Sequence, residues 1–391
     1  MQRKHEKTDV YRAVANFEEQ ATLRNGDVVN RPYRSSVVVN NIGTSGSYSR
    51  QELTDADDYL TVNQKKEATF YLEDYWALQS SYRTANLYAD DTAVQLGNQI
   101  DGDVFGEYDN ADSTIGAYEV AGTGSLADGL GITLTTSNIL KVFTKAGAKL
   151  DALNISLNDR WAVISPQFKE VLLQYLAGKN SALGDSTGVN GHIGKYMSFQ
   201  LYESNALGHS CRLELPVTVP TVNDTMTING VEFVFVDTGN VDAGAAGSIY
   251  YGANVGATCD NIVASINAPG TADSGVYLPV SAANQKLLKN ITATDEDTYV
   301  TFKTTGKSYI AVSETLTTEA NVWTTTKQIQ HVIFGQGKPI DVVVQKYPKL
   351  EMFHRDGYIG KDFVTWTLYG IKTFEEGADQ LVDVLVRSDD Y

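Results

Sequence analysis

The sequence is 391 residues long, with 42% hydrophobic, 20% charged and 10% aromatic residues and 8 prolines, a globular composition sized for about two to four domains. Its 31 Lys and Arg against 48 Asp and Glu give a formal charge of −17, which excludes a global basic field able to recruit nucleic acid by counterion release. Cys211 and Cys259 are too few and too far apart for a disulfide scaffold, a CxxC redox site or a zinc site, and read as buried thiols. Residues Met1 to Lys7 precede no apolar stretch, and the longest apolar runs, such as Val231-Glu-Phe-Val-Phe-Val236, are strand-sized. The expectation is a chain with neither a secretory leader nor a membrane-spanning helix, which needs ~20 apolar residues.

The first 50 residues carry 8 Lys or Arg and 5 acids. Gly26, Pro32 and Gly43-Thr-Ser-Gly-Ser47 break any long period, leaving Ser36-Val-Val-Val39 as the clear strand candidate. This predicts an extended basic arm leading into a strand. Tyr59 to Leu72 gives two short β-prone runs about a polar turn at Asn63 to Glu67, the pattern of a long exposed hairpin with Lys65 and Lys66 at its tip. From Asp74 the period changes: Tyr75, Leu78, Tyr82, Ala85, Ala89, Ala93, Leu96, Ile100 and Val104 step by threes and fours along one helical face. With Asp74 as N-cap and Gly102 and Gly106 as stops, about 30 residues at ~1.5 Å rise make a rod of roughly 45 Å. Residues 71 to 130 hold 11 acids and one basic residue, Arg83, so the rod should attract a basic arm, including one from a neighbouring subunit.

Residues 112 to 131 read as a loose, Gly-rich segment. Thr135-Thr-Ser-Asn begins a helix to about Leu153 with Leu140, Phe143 and Leu150 on one side. The strand Arg160-Trp-Ala-Val-Ile164 meets Pro166, which fits the first turn of a helix with Phe168, Val171, Leu172 and Leu176 inward until Gly178. Gly188 to Gly194 is a turn before the strand Met197-Ser-Phe-Gln-Leu-Tyr202, so the middle of the chain is α/β. Between about 212 and 330 the composition shifts to Thr, Val, Ala and Gly, with strands at 225–229, 231–236 and 298–304 and one helix, Ala257 to Asn267. That stretch has the size of its own compact, mostly β module. The last 60 or so residues return to strands at Pro339–Val344, Val364–Tyr369 and Leu381–Val386, expected to pair with one another beneath the long helix.

Motifs for chemistry are sparse. No HExxH occurs, and His5, His192, His209, His331 and His354 never pair at i and i+4. Gly335-Gln-Gly-Lys338 resembles the tail of a phosphate loop, but Val332 stands where the first Gly belongs and Pro339 where Ser or Thr belongs, so a strand-to-strand turn fits better. Asp101-Gly-Asp-Val-Phe-Gly106 begins like a calcium loop, yet Phe105 takes a ligand position, and a helix end fits better. The sequons at Asn154, Asn223 and Asn290 matter only in a secreted chain.

The order of arm, extended hairpin, long acidic helix, α/β middle and closing strands resembles the major capsid proteins of tailed bacteriophages, with the Hong Kong phage fold. Leu60-Thr-Val-Asn-Gln-Lys-Lys-Glu-Ala-Thr-Phe-Tyr-Leu-Glu-Asp74, Asn158-Asp-Arg-Trp-Ala-Val-Ile-Ser-Pro166 and Tyr369-Gly-Ile-Lys-Thr-Phe374 carry the resemblance, which spans nearly the whole chain. It implies an α+β fold: residues 1–41 as N-terminal arm, 42–71 as extended loop over a neighbour, and 72–111 as the spine helix of the peripheral domain. Residues 112–211 would be the axial domain, 212–330 an inserted β-rich domain, and 331–391 the peripheral domain's closing strands. Met226-Thr-Ile-Asn-Gly-Val-Glu-Phe-Val-Phe235 and Gly256 to Asn267 are similar to modules decorating other phage structural proteins, which implies an insertion projecting outward.

The resemblance further implies hexamers and pentamers of this chain closing an icosahedral shell around double-stranded DNA, with no enzymatic activity, catalytic residue, cofactor or metal. Implied partners are a separate scaffolding protein, a portal protein and decoration proteins, with no membrane and no sequence-specific nucleic acid binding. The place implied is the virion, after synthesis in the host bacterial cytoplasm. Candidate subunit-contact residues are Arg24, Asp27, Arg31 and Arg34 in the arm, Lys65 and Lys66 at the hairpin tip, and Asp90 and Asp91 on the rod. Some members cross-link Lys to Asn, though adjacent lysines on a solvated turn are commonplace. Removal of residues 1 to 30 is expected to abolish assembly and leave the subunit folded. The competing reading is a phage tail or surface adhesin whose 212–330 module binds a ligand, against which the long helix argues.

Overall fold

A computed structural model of the chain describes residues 10–18, 28–34, 37–42, 50, 52, 55–74, 84–122, 131–179, 194–215, 218–237, 245–305, 310–317, 322–323, 328–354, 357 and 359–388. It opens with one helical turn, α1 (Tyr11–Val14), and the short strand β1 (Ala15–Asn16). Strands β2 (Val28–Arg34), β3 (Asp55–Thr61) and β4 (Gln64–Glu73) precede α2 (Thr84–Phe105), which tightens into a 3-10 turn at Gly106–Asn110. Then come β5 (Ser113–Ile115), α3 (Ala117–Ala121), α4 (Ile139–Ala152), β6 (Arg160–Ile164) and α5 (Pro166–Ala177). Strands β7 (Lys195–Tyr196), β8 (Phe199–Glu203) and β9 (His209–Glu214) lead to β10 (Thr225–Ile228), β11 (Val231–Val236) and β12 (Ser248–Tyr250). Helices α6 (Val255–Asn267) and α7 (Ala282–Leu287) precede β13 (Ile291–Asp295), β14 (Tyr299–Thr304), β15 (Val312–Glu314) and β16 (Val322–Trp323). The chain closes with β17 (Ile329–Gln336), β18 (Ile340–His354), β19 (Gly360–Thr373), α8 (Glu375–Ala378) and β20 (Leu381–Arg387).

Local signals account for the centre. All five residues of β6 are buried, Arg160 with its guanidinium on Asp151 at 2.6 Å, and both edges of the strand are paired, to β17 and β8. At its end Ser165 Oγ accepts from Phe168 N, and Pro166 sits where a missing N–H costs nothing. Helix α5 buries Phe168, Leu172 and Leu176, and α4 buries Val142, Phe143, Ala146 and Leu150, whereas Leu140, expected inside, is exposed. Edge-to-face rings fill the space between: Phe143 and Phe334 lie 5.4 Å apart, Phe199 and Phe334 5.1 Å.

A second apolar core is drawn wholly from residues between Cys211 and Trp323, with Phe233, Phe235, Cys259, Ile262 and Phe302 at its centre. Its β12-β11-β10-β15 sheet stands apart, but β13 and β14 join β9 and through it β17, extending the central sheet. The third sheet, β1-β18-β19-β4, carries α2 on one face, with Phe70 stacked 4.8 Å from Phe363 and 5.4 Å from Tyr88. Among the described residues no helix is long and apolar enough to cross a membrane.

Several sequence expectations change. The run from Tyr59 to Leu72 is not a hairpin: β3 pairs with β2 and β4 pairs with β19, because partners far away in sequence outcompete the two-residue turn between them. Lys65 and Lys66 therefore lie inside a paired strand rather than at a tip. Leu72 and Glu73, assigned to the spine helix, belong to β4, and Tyr75, Leu78 and Tyr82 fall outside the described residues. Gly102 does not stop α2, since Ile100 and Val104 are buried on either side and packing outweighs the ~1 kcal/mol propensity cost of glycine. Val37 to Val39 lie outside any strand and are exposed. Met197 and Ser198 form a turn with positive φ, so the strand starts at Phe199. Of the closing strands, β18 and β19 pair with each other, but β20 joins β17 and β5 in the central sheet.

Candidate assembly surfaces

The described part of the arm belongs to the body. Tyr11, Val14 and Ala15 are buried in the central core, and the Asp101 carboxylate accepts the N–H groups of Val10 and Tyr11 at 3.1 and 2.8 Å. Asp101 is thus a cap for α1 rather than a calcium ligand. Strand β1 pairs with β18, and Asn16 Nδ2 donates to Asp341 at 2.8 Å. Deleting residues 1 to 30 would remove core side chains, so that truncation tests folding and assembly together.

Strands β2 and β3 pair antiparallel over seven positions, and their base is held by the body. Val29, Leu60 and Val62 pack with Val343 and Phe374 in a small third core. Charges reinforce that base: Arg31 pairs with Asp341 at 3.3 Å and lies over the Phe374 ring at 5.1 Å, and Lys372 pairs with Asp58 at 3.1 Å. Beyond it, Val37, Val38, Val39 and Ile42 are exposed, Val39 at 95%. The β18–β19 hairpin repeats the pattern, with Tyr347, Met352 and Phe353 exposed and Ile359 at 74%. Each hairpin therefore carries, among the described residues, a cluster of exposed apolar side chains towards its end.

The candidate contact residues scatter over these surfaces. Arg24 and Asp27 lie outside the described residues, as does the side chain of Arg34. Asp90 and Asp91 are exposed on α2. Lys65 is exposed on β4, beside a groove that Lys66, Leu96, Trp366 and Lys289 also line. Lys66 pairs with Asp103 at 3.2 Å, and Asp103 also accepts the Tyr369 hydroxyl. Burial, then Asp103 itself, raises the Tyr369 phenol, so it stays a donor.

One constellation escapes a reading by spacing. Ser210 Oγ lies 2.9 Å from His331 Nε2, and His331 Nδ1 lies 2.8 Å from Asp383 Oδ2, the arrangement of a nucleophile, base and orienting acid. Ser210 is 5% exposed and sits between β14 and β17 inside a sheet, so its hydroxyl is buried in this structure. Its three residues come from three strands distant in sequence, and only the sheet order brings them together. Gly184-Asp-Ser-Thr-Gly188 has nucleophile-elbow spacing, contrary to the expectation that no such motif occurs, and lies outside the described residues. Burial raises the Cys211 thiol and pushes Cys259 up to about 12, so both stay protonated. Among the described residues no group of three or more His, Cys, Asp or Glu converges to hold a metal.

No family model matches the chain, and no curated protein matches it. Solved structures do. A structure from Mycobacterium phage Che8 is similar at a TM-score of 0.55 with 13% identity, covering 98% of this chain and 93% of that one. The capsid structure of cyanophage P-SCSP1u is similar at 0.51 with 11% identity, covering 99% and 90%. The mature capsid of bacteriophage PhiM1 is similar at 0.51 with 11% identity, covering 100% and 90%. What is shared at this identity is the fold, and the chain has the α+β fold of these phage capsid structures over nearly its full length.

Proposed function

We propose that this chain is the major structural subunit of a phage shell, its copies forming hexamers and pentamers that close around a double-stranded DNA genome. The observation that carries the reading is the likeness to phage capsid structures across 98% to 100% of the chain. The two hairpin ends support it, because an apolar surface of this kind is covered when another copy seats on it. In this reading the β2–β3 hairpin is the extended loop, α2 the spine, the β18–β19 sheet the peripheral domain, and the unit from about Cys211 to Trp323 an insertion projecting outward. Lys65, Asp90 and Asp91 are proposed subunit contacts, whereas Arg31 and Lys66 hold partners within their own chain. The protein is proposed to act without catalysis, in the virion, with separate scaffolding, portal and decoration proteins.

Electron microscopy of the chain co-expressed with its neighbouring open reading frames tests the reading. Uniform closed shells tens of nanometres across are expected. Only monomers or small fixed oligomers with every neighbour would overturn it.

A further inference from the structure

The two large apolar cores share no residue, and a buried polar belt runs between them. It consists of His209 and Ser210 on β9, Gln330 and His331 on β17, and Asp383 on β20. Gln330 Nε2 lies 3.3 Å from His209 Nε2, and the Ser210–His331–Asp383 bonds continue the belt to the far strand. Tyr108 stacks on the His331 ring at 3.6 Å between centroids. Among the described residues His209 Nδ1, Gln330 Oε1 and Asp383 Oδ1 have no hydrogen-bond partner. A buried network left half satisfied costs stability that an apolar seam would not.

The backbone across this seam is also thin. Strand β9 meets β17 at two positions, Ser210 with Ile329 and His209 with Gln330, with His331 N also donating to Gly208 O at 3.0 Å, whereas β17 and β20 pair over seven. Lys303 of the inserted unit bonds Asp109 of the body at 2.9 Å on the exposed rim.

We propose that this belt is an acid-opened latch: protonation of His209 lets the β9–β17 seam part while the two cores on either side stay folded. Burial, with His331 adding to it, pushes the His209 imidazole down to about 4 from an ordinary 6.5. An imidazole held neutral in the closed seam takes up its proton once the seam opens. The closed state therefore loses stability as the pH falls from about 6.5 towards about 4, and keeps it above that window. The neighbours offer a charged His209 no help. Asp383 Oδ2 is engaged by His331, the Tyr108 phenol is held neutral by burial with Asp109 and Asp383 adding, Asp109 is paired with Lys303, and Ser210, Thr304 and Gln330 are uncharged. The latch does not depend on shell assembly, so its failure leaves the proposed function untouched.

Hydrogen exchange followed by mass spectrometry on the full chain at pH 7 and pH 5, normalised to intrinsic rates, reads the seam directly. Peptides spanning 209–214, 299–304 and 329–332 should exchange on the order of tenfold faster at pH 5, while α4 in the central core holds its protection. His209→Gln should flatten that response. No acceleration, equal acceleration in α4, or an unchanged response in H209Q would overturn the latch. Should H209Q fail to fold, NMR titration of the wild-type imidazoles decides. Titration of His209 near its ordinary value would contradict the proposal, and titration well below it, together with the seam's acceleration, would support it.

Discussion

The same kinds of side chain meet opposite fates in two regions of this molecule. In the body, Phe143, Phe168, Phe199 and Phe334 are fully buried against one another's edges. At the hairpin ends, Val39, Met352, Phe353 and Ile359 stand in the open. The first set stabilises the fold of one chain. The second leaves much apolar surface in water in a single chain and gains most where another surface covers it. If the proposed function holds, folding and association rest on separate residues and are separable by mutation.

The sharpest way to break that comparison is from the body. Phe334→Ala should cost about 3 to 5 kcal/mol by opening a cavity among four rings, measured by chemical denaturation. A loss under about 1 kcal/mol would mean the rings are not the core. Next, Gly335→Ala would place a Cβ 2.5 Å from Trp161 Cζ2, and overpacking there should cost about 1 to 3 kcal/mol in the same assay. Smaller again, Tyr369→Phe leaves the Asp103 carboxylate with Lys66 but without its hydroxyl donor. A loss of about 1 to 2 kcal/mol is expected. Smallest in stability is Val39→Asp, within about 0.5 kcal/mol of wild type in the isolated chain. Electron microscopy of the same variant should nonetheless show particle formation lost, and normal particles would erase the distinction between the two regions.

What could be read in the sequence follows how local each signal is. Arg160 to Leu176 was legible because an apolar strand, a proline at N1 and a helical stripe all lie within one short stretch. The span from Tyr59 to Leu72 was misread because β-propensity marks strands but not partners, and β4 finds its partner in β19 almost 300 residues on. Val37 to Val39 look like a strand by composition, yet β-branched residues are favoured there only when a neighbouring strand covers them. The overall order of elements was legible enough to point to the fold. The hairpin ends were not, since exposure is a property of the assembled topology. The Ser210–His331–Asp383 belt was invisible for the same reason.

Hydroxyl-radical footprinting of Met352 in assembled particles and in the isolated chain tests the central claim most directly. Met352 is 64% exposed in the single chain and should oxidise readily there. The account predicts strong protection in particles, with buried Met226 unreactive in both states. Equal oxidation of Met352 in both states would contradict the claim that neighbouring copies cover the hairpin end.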